Sequence, residues 1–415
     1  MIGAVLASAV AYAIDLGSTV TMFAILRTIR KPLRLLLLPI FAILLSACDP
    51  AALGGLGNAG GPKIDPNAPV PVALLVPRGG TASDNLLAKN LENAARLAIR
   101  DLDGVQIDLR VYGTAGKAGT AATAAAQAVT DGAKIILGPV YGEAANAAGL
   151  AVADAGVNVL SFSNNTTIAG GNVFVLGPTF NNTANRLVDY AKRAGKDKIV
   201  VLHADNIGGQ LGRNAIQQAI AANGATMSGS VEYALSQEAV RASVPKVKAL
   251  MSTTGANALF MTANSATALP LLADLLPSAG VTNSSSQYIG LTRWDIPAQT
   301  LALPGIQGGW FALPDPAPSA AFASRYSAAY GDRPLDIAGL AFDGVAAVGS
   351  LVKSGKKNAL TGAALTQGAG FKGASGIFRL RADGTNQRGL AVATIRNNQV
   401  VMLEAAPKAF SGAGF

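Results

Sequence analysis

Short apolar runs alternate with alanine-rich helical segments along most of this 415-residue chain, and that rhythm restricts the fold more than any single motif does. Residues 72–76, 107–111, 134–137 and 157–162 are apolar with little polar alternation, the pattern of strands covered on both faces. Segments 83–102, 119–131 and 142–155 lie between them. In the first, Leu87, Leu91, Ala94, Ala95 and Ala98 recur at helical spacing behind Ser83, a fair N-cap. This order predicts a mostly parallel sheet with helices on both faces and right-handed crossovers. A second series follows, with strands at 199–203, 227–233, 258–262 and 288–291 and helices at 210–222, 241–253 and 266–279. The expected class is therefore α/β, as two doubly wound lobes. Residues 173–179 and the Pro-bounded stretch 308–316, GGWFALPDP, read as crossings between them. Helices at 320–330 and 337–353 come next. A hairpin around Asp383-Gly384, with strands near 377–380 and 390–395, completes the fold.

The chain opens differently. Arg27, Arg30, Lys31 and Arg34 precede an apolar stretch, 35–45, and Ser46-Ala47 stand before Cys48, the sole cysteine. A positive region, a short apolar core and small residues before a cleavage point are the grammar of an export signal. The stretch is shorter than the ~20 apolar residues of a span. Asp15 interrupts the apolar segment ahead of the basic cluster, which makes Met22 a candidate start. Residues 49–71 are Gly-, Ala-, Pro- and Asn-rich with little periodicity, as in a spacer. The G-x-G-x-x-G match at 55–60 follows no strand and opens no helix, so it belongs to that spacer.

Composition removes several kinds of chemistry. One Cys and one His cannot build a thiolate or imidazole metal site, which needs three or four such ligands. His203 has no G-x-S-x-G nucleophile to serve and reads as structural. Gly116-Lys117, Gly195-Lys196 and Gly355-Lys356 lack the Ser or Thr of a phosphate-binding loop. No catalytic residue, cofactor or metal is expected. Loss of residues 1–47 removes four basic residues and Asp15, which takes the formal charge from +9 to +6. With no basic run interleaved with aromatics, no nucleic-acid partner is expected.

Several segments carry a resemblance: 72–77 VALLVP, 135–140 IILGPV, 157–163 VNVLSFS and 174–179 FVLGPT, with Arg325-Tyr326, Tyr330-Gly331 and 341–343 AFD. In order and spacing they resemble the type 1 periplasmic binding proteins, the leucine-binding-protein group in particular, over residues 70–399. The resemblance implies two Rossmann-like lobes joined by crossing hinge strands and no enzymatic activity. Leu45-Ser46-Ala47-Cys48 resembles a lipobox, which implies a lipidated Cys48 anchoring the protein in the periplasm, to the outer or inner membrane. The lipobox, the Gly-rich tether and Trp294-Asp295 followed by 308–311 GGWF look like the penicillin-binding-protein activator lipoproteins of Gram-negative bacteria. On that reading a penicillin-binding protein is the partner, peptidoglycan synthesis is regulated, and Arg293, Trp294 and Trp310 offer contact anchors. The alternative is the substrate-binding component of an ABC transporter for amino acids, amides or short peptides, with a permease as partner. Implied boundaries are 22–47 for the signal, 48–69 for the tether, 70–178 for the first part of lobe 1 and 179–310 for lobe 2. Residues 311–380 then return to lobe 1, and 381–415 form a closing hairpin and tail.

Both readings place a small polar ligand in a cleft between the lobes, where strand C-termini and helix N-termini meet. In lobe 1 the expected lining is Arg78, Gly79, Gly80, Tyr141, Gly142, Asn164, Asn165 and Thr166. In lobe 2 it is Asp205, Asn206, Gly208, Thr292, Arg293, Trp294 and Asp295. Amino-acid-binding members place a Ser near Gly142, an Ala-x-Thr or Ala-Thr unit near Asn164-Asn165, a Tyr-Gly near Gly208-Gly209 and often an acidic residue near Thr292. All four differ here. Without the carboxylate near Thr292 an α-ammonium group loses its usual partner, and Asp205 or Asp295 becomes the substitute.

Overall fold

The computed structural model describes residues 61–410. Cys48, the signal segment 22–47 and most of the tether lie outside them. The described chain opens with β1 (Val70–Val76), α1 (Ala82–Arg100), β2 (Ile107–Gly113), α2 (Ala118–Thr130), β3 (Ile135–Leu137), α3 (Gly142–Val152), β4 (Asn158–Ser161) and β5 (Val173–Val175). These strands form a parallel sheet in the order β2-β1-β3-β4-β5. The N-cap of α1 is Thr81 rather than Ser83. Its hydroxyl accepts from the Asp84 N–H at 3.2 Å while the Asp84 carboxylate accepts from the Thr81 N–H at 2.9 Å, a reciprocal capping box. Ala121, Ala125 and Ala128 of α2, with Ala144 and Ala148 of α3, cover one face of the sheet. Leu91, Ala94 and Ala98 of α1 pack against the other.

Next come α4 (Phe180–Arg193), β6 (Lys198–Ala204), α5 (Ile207–Ala222), β7 (Thr226–Tyr233), α6 (Gln237–Thr254), β8 (Ala258–Met261), α7 (Leu269–Ser278), β9 (Gln287–Gly290) and β10 (Trp310–Pro314). The chain then returns to the first lobe as α8 (Pro316–Tyr330), α9 (Gly339–Lys353), α10 (Gly362–Leu365), β11 (Phe371–Gly373), β12 (Gly376–Leu380) and β13 (Asn386–Arg388). Last are β14 (Leu390–Arg396) and β15 (Gln399–Glu404). The second sheet runs β15-β14-β10-β9-β8-β6-β7, and β11-β12-β13 form a small antiparallel sheet of their own.

Two expectations change. Strand 390–395 does not pair with 377–380 in a closing hairpin. Instead β12 pairs with β13 around Asp383-Gly384, and β14 crosses back to lie between β10 and β15. The reason is burial on both faces: Ala391, Ala393 and Ile395 enter one core layer while Leu390 and Val392 enter the other, which only an interior strand allows. Asn397 and Asn398, both left-handed with φ of 51° and 61°, make the two-residue link to β15. Second, the end of the expected tether is packed: Ile64 is buried in the first-lobe core and its N–H donates to the Lys357 carbonyl at 2.9 Å.

The passages between the sheets meet at one buried polar network. Arg388 Nη1 donates to Asp343 Oδ2 at 2.8 Å, and its Nε and Nη2 donate to the Leu176 carbonyl at 3.0 and 2.5 Å. The Asn386 amide donates to the carbonyls of Val175 and Gly177 at 2.7 and 2.8 Å. Asn182, near the start of α4, donates to Asn386 Oδ1 at 2.7 Å and accepts from the Arg388 N–H at 3.2 Å. Asp343 is wholly buried, and burial pushes its carboxyl above the ordinary value against the pull of Arg388. Arg388→Met should destabilise by about 3–5 kcal/mol in urea unfolding by stranding that carboxylate. A raised folded-state pKa means the ionised form is the disfavoured one, so the deficit should shrink as the pH falls and the carboxyl is neutralised.

Candidate functional site

The strand order of the first sheet reverses between β1 and β3, and the loops after these strands leave to opposite faces. That leaves a crevice at their C-terminal ends. After β1, Gly79 takes φ of 88° and its N–H donates to Asn85 Oδ1 at 2.9 Å. Arg78 turns along α1 into an ion pair with Glu92, which also holds Arg96 at 2.8 Å. The guanidinium is thus already paired. Across the crevice, the Tyr141 hydroxyl donates to Asp84, the same carboxylate that accepts the Thr81 hydroxyl at 2.8 Å. Tyr141 and Thr81 hold the Asp84 carboxyl below its ordinary value, and Asp84 holds the Tyr141 phenol above its own.

Gly80 sits beside Asp84 in the same turn. Gly142 opens α3, whose first turn has no side-chain cap. A Cβ at Gly142 would stand 3.2 Å from Asn165 Nδ2 and 3.6 Å from Ser163 Oγ, so the loops after β3 and β4 touch there. Asn165 Oδ1 accepts from the Thr167 N–H at 3.0 Å and so shapes the turn that starts at Thr166, while Asn164 is exposed at the lip. Tyr141, Gly142, Asn165 and Thr166 are thereby brought together, and Arg78 is drawn away.

In the second lobe the Asp205 N–H donates to the Tyr233 carbonyl at 2.9 Å, and the Asp205 side chain is exposed. Asn206 caps α5 by accepting from the Gly209 N–H at 2.8 Å. Gly208 is exposed, whereas a Cβ on Gly209 would collide with the Ala204 backbone, so the loop packs that closely only with glycine there. Thr292 Oγ1 donates to the Ala263 carbonyl at 3.3 Å. Arg293 grips Asp295 through two bonds, Nε to Oδ1 at 2.6 Å being one. Asp295 is therefore no free substitute for the carboxylate absent near Thr292.

Trp294 does not line the cleft. It is fully buried in the second-lobe core, laid against Gly290 and Gly309, where any Cβ would strike the indole. It cannot anchor a partner. Its Nε1 has no hydrogen-bond partner among the described residues. The half-buried Trp310 meets Tyr190 edge to face at 4.9 Å. His203 is buried with Nδ1 3.1 Å from the Ala204 carbonyl oxygen. Sequence reasoning missed Asp84 as a site residue, although T-x-x-D ahead of an apolar run was a capping signal. Gly116, against whose backbone the Tyr141 ring lies, carried no signal of its own.

Two α/β lobes, each with polar loops at its strand C-termini, joined by several passages, define a hinged two-lobed binding protein. The chain belongs to the periplasmic binding protein family, whose profile matches residues 69–399. It is similar to a Rhodospirillum rubrum protein described as a branched-chain amino acid ABC transporter, with 18% identity over 81% of this chain and 100% of that one and a TM-score of 0.67. A branched-chain amino acid ABC transporter periplasmic ligand-binding protein from Burkholderia xenovorans has 19% identity, covers 82% and 94%, and scores 0.62. A solute-binding protein of an ABC transporter from Rhodopseudomonas palustris, solved with 3,4-dihydroxybenzoic acid, has 19% identity, covers 82% and 98%, and scores 0.55. No curated protein is matched by sequence.

The Tyr141–Asp84 bond should persist at neutral pH and break as the pH falls through the lowered Asp84 value, below the ordinary 3.8. Asp84 carboxyl NMR shifts compared between wild type and Tyr141→Phe check this, the midpoint moving up in the variant. Trp294→Ala should cost about 3–5 kcal/mol in urea unfolding through the cavity it leaves.

Proposed function

We propose that the protein captures a small solute between its lobes and presents it to a membrane permease, as the substrate-binding component of an ABC importer. The observation that carries this reading is the pair of polar loop sets at the strand C-termini of two lobes joined by passages suited to hinge closure. Likeness to ABC transporter solute-binding proteins over four-fifths of the chain supports it. The earlier regulator reading loses an anchor, because Trp294 is buried. Candidate solutes are amino acids, amides and short peptides, to which the aromatic acid held by one similar solute-binding protein adds a further class; with Asp295 held by Arg293, Asp205 is the exposed acid of the expected lining. We place the domain in the periplasm, tethered through lipidated Cys48. Among the described residues no helix is long and apolar enough to cross a membrane.

Thermal-shift screening of the full-length protein against amino acids, amides, short peptides, aromatic acids and muropeptides tests the reading, with a parallel pull-down of penicillin-binding proteins. A solute at 100 times its Kd should stabilise by about 2.7 kcal/mol. Specific capture of a synthase with no solute bound would overturn it. Separately, Cys48→Ser should leave the protein unprocessed or free of the membrane in cell fractionation.

A further inference from the structure

The Tyr141–Asp84 bond does more than decorate a loop. Tyr141 stands at the head of α3 and Asp84 in the first turn of α1, helices that cover opposite faces of the first sheet. Their bond therefore spans the crevice between β1 and β3, where the strand order reverses. In an open α/β sheet that crevice is where a ligand would otherwise descend. Here the ring closes it over.

The ring is also fixed. One edge lies against Gly116, where a Cβ would come within 3.0 Å of Cε2, and the hydroxyl is held by a carboxylate that Thr81 orients in turn. Yet Tyr141 remains 41% exposed. A large aromatic surface that is immobilised and still open to solvent has already lost the rotational freedom that a binding event would otherwise take from it. The charges beside it are already engaged: Arg78 is paired with Glu92, and Asp84 is taken up by the Tyr141 and Thr81 hydroxyls.

The second lobe carries exposed apolar side chains at its own strand ends. Ile207 and Leu211, one turn apart at the start of α5, are 78% and 44% exposed at the corresponding strand ends. Leu235 and Ile296 are exposed in the loops after β7 and β9.

We propose that Tyr141 is the floor of the ligand site, a fixed aromatic platform, and that the ligand lays a planar ring or planar conjugated group on it, covered by Ile207 and Leu211 when the lobes close. This deepens the solute-binding reading and rests on it.

Calorimetric titration of the full-length protein with benzoate and cyclohexanecarboxylate isolates planarity, since the two match in charge and closely in size. L-leucine serves as a non-cyclic comparison. Benzoate should bind more tightly than cyclohexanecarboxylate by roughly tenfold, the scale of an aromatic contact. Tyr141→Ala should abolish the preference, and Tyr141→Phe, which keeps the ring and frees its far end, should retain most of it. Ile207→Ser should weaken benzoate about fourfold through lost apolar cover. Unchanged thermal melts for the variants guard against misfolding. Equal binding of the two acids, a preference that survives Tyr141→Ala, or binding of leucine alone would overturn the platform while leaving solute capture standing. Binding of nothing in this set or in the wider solute screen would overturn both.

Discussion

Everything that lets two lobes act as one molecule converges on Arg388. Its guanidinium is buried, and the groups around it come from separated parts of the chain: the Asp343 carboxylate from α9 and the Leu176 carbonyl where the chain first leaves the first lobe. Its own backbone N–H reaches Asn182 in the second lobe. Removing two charges from water is costly, so such a pair contributes little net stability compared with apolar packing. What it supplies is direction. A guanidinium has donors in a fixed plane, and satisfying the carboxylate and a carbonyl together permits few arrangements of the strands that carry them. The passages are aligned by polar geometry rather than by apolar bulk, which suits a junction that must bend without coming apart.

Much of the architecture was legible because apolar strands covered on both faces, such as VPVALLV in β1, leave few alternatives. The reading failed where identity depended on distant partners. Residues 390–395 looked like half of a local hairpin, since a short apolar strand near a turn is the same in sequence whichever sheet it joins. Only the core layers on both sides of Val392 and Ala393 decide that β14 is interior. Trp294 read as a contact anchor because Trp and Arg are common at interfaces. Nothing local announced that Gly290 and Gly309, on either side of it in sequence, clear a space for the indole. The candidate site was legible as a set of loops, but the partner of each side chain was not: Tyr141 and Asp84 are 57 positions apart.

A common logic runs through the loops of both lobes. Arg78 with Glu92, Arg293 with Asp295, and Asp84 with Tyr141 and Thr81 are satisfied within their own lobe. Charges settled in this way do not pull the lobes together prematurely across the gap. Among the described residues, backbone groups at the uncapped start of α3 and the Asn165 amide nitrogen remain to meet a polar atom, and apolar rims remain to meet the rest of a ligand.

The return of the chain to the second sheet through β14 also bears on biogenesis. Strand β10 has β9 on one side, but its other edge is unpaired until residues 390–396 have been made. The first lobe likewise waits for β11 to β13 before the hinge network can close. Neither lobe is complete in any long N-terminal fragment, so a nascent chain stays open-edged until synthesis is almost finished. Closure is therefore late in both halves, through β11 to β13 in the first lobe and through β14 in the second sheet.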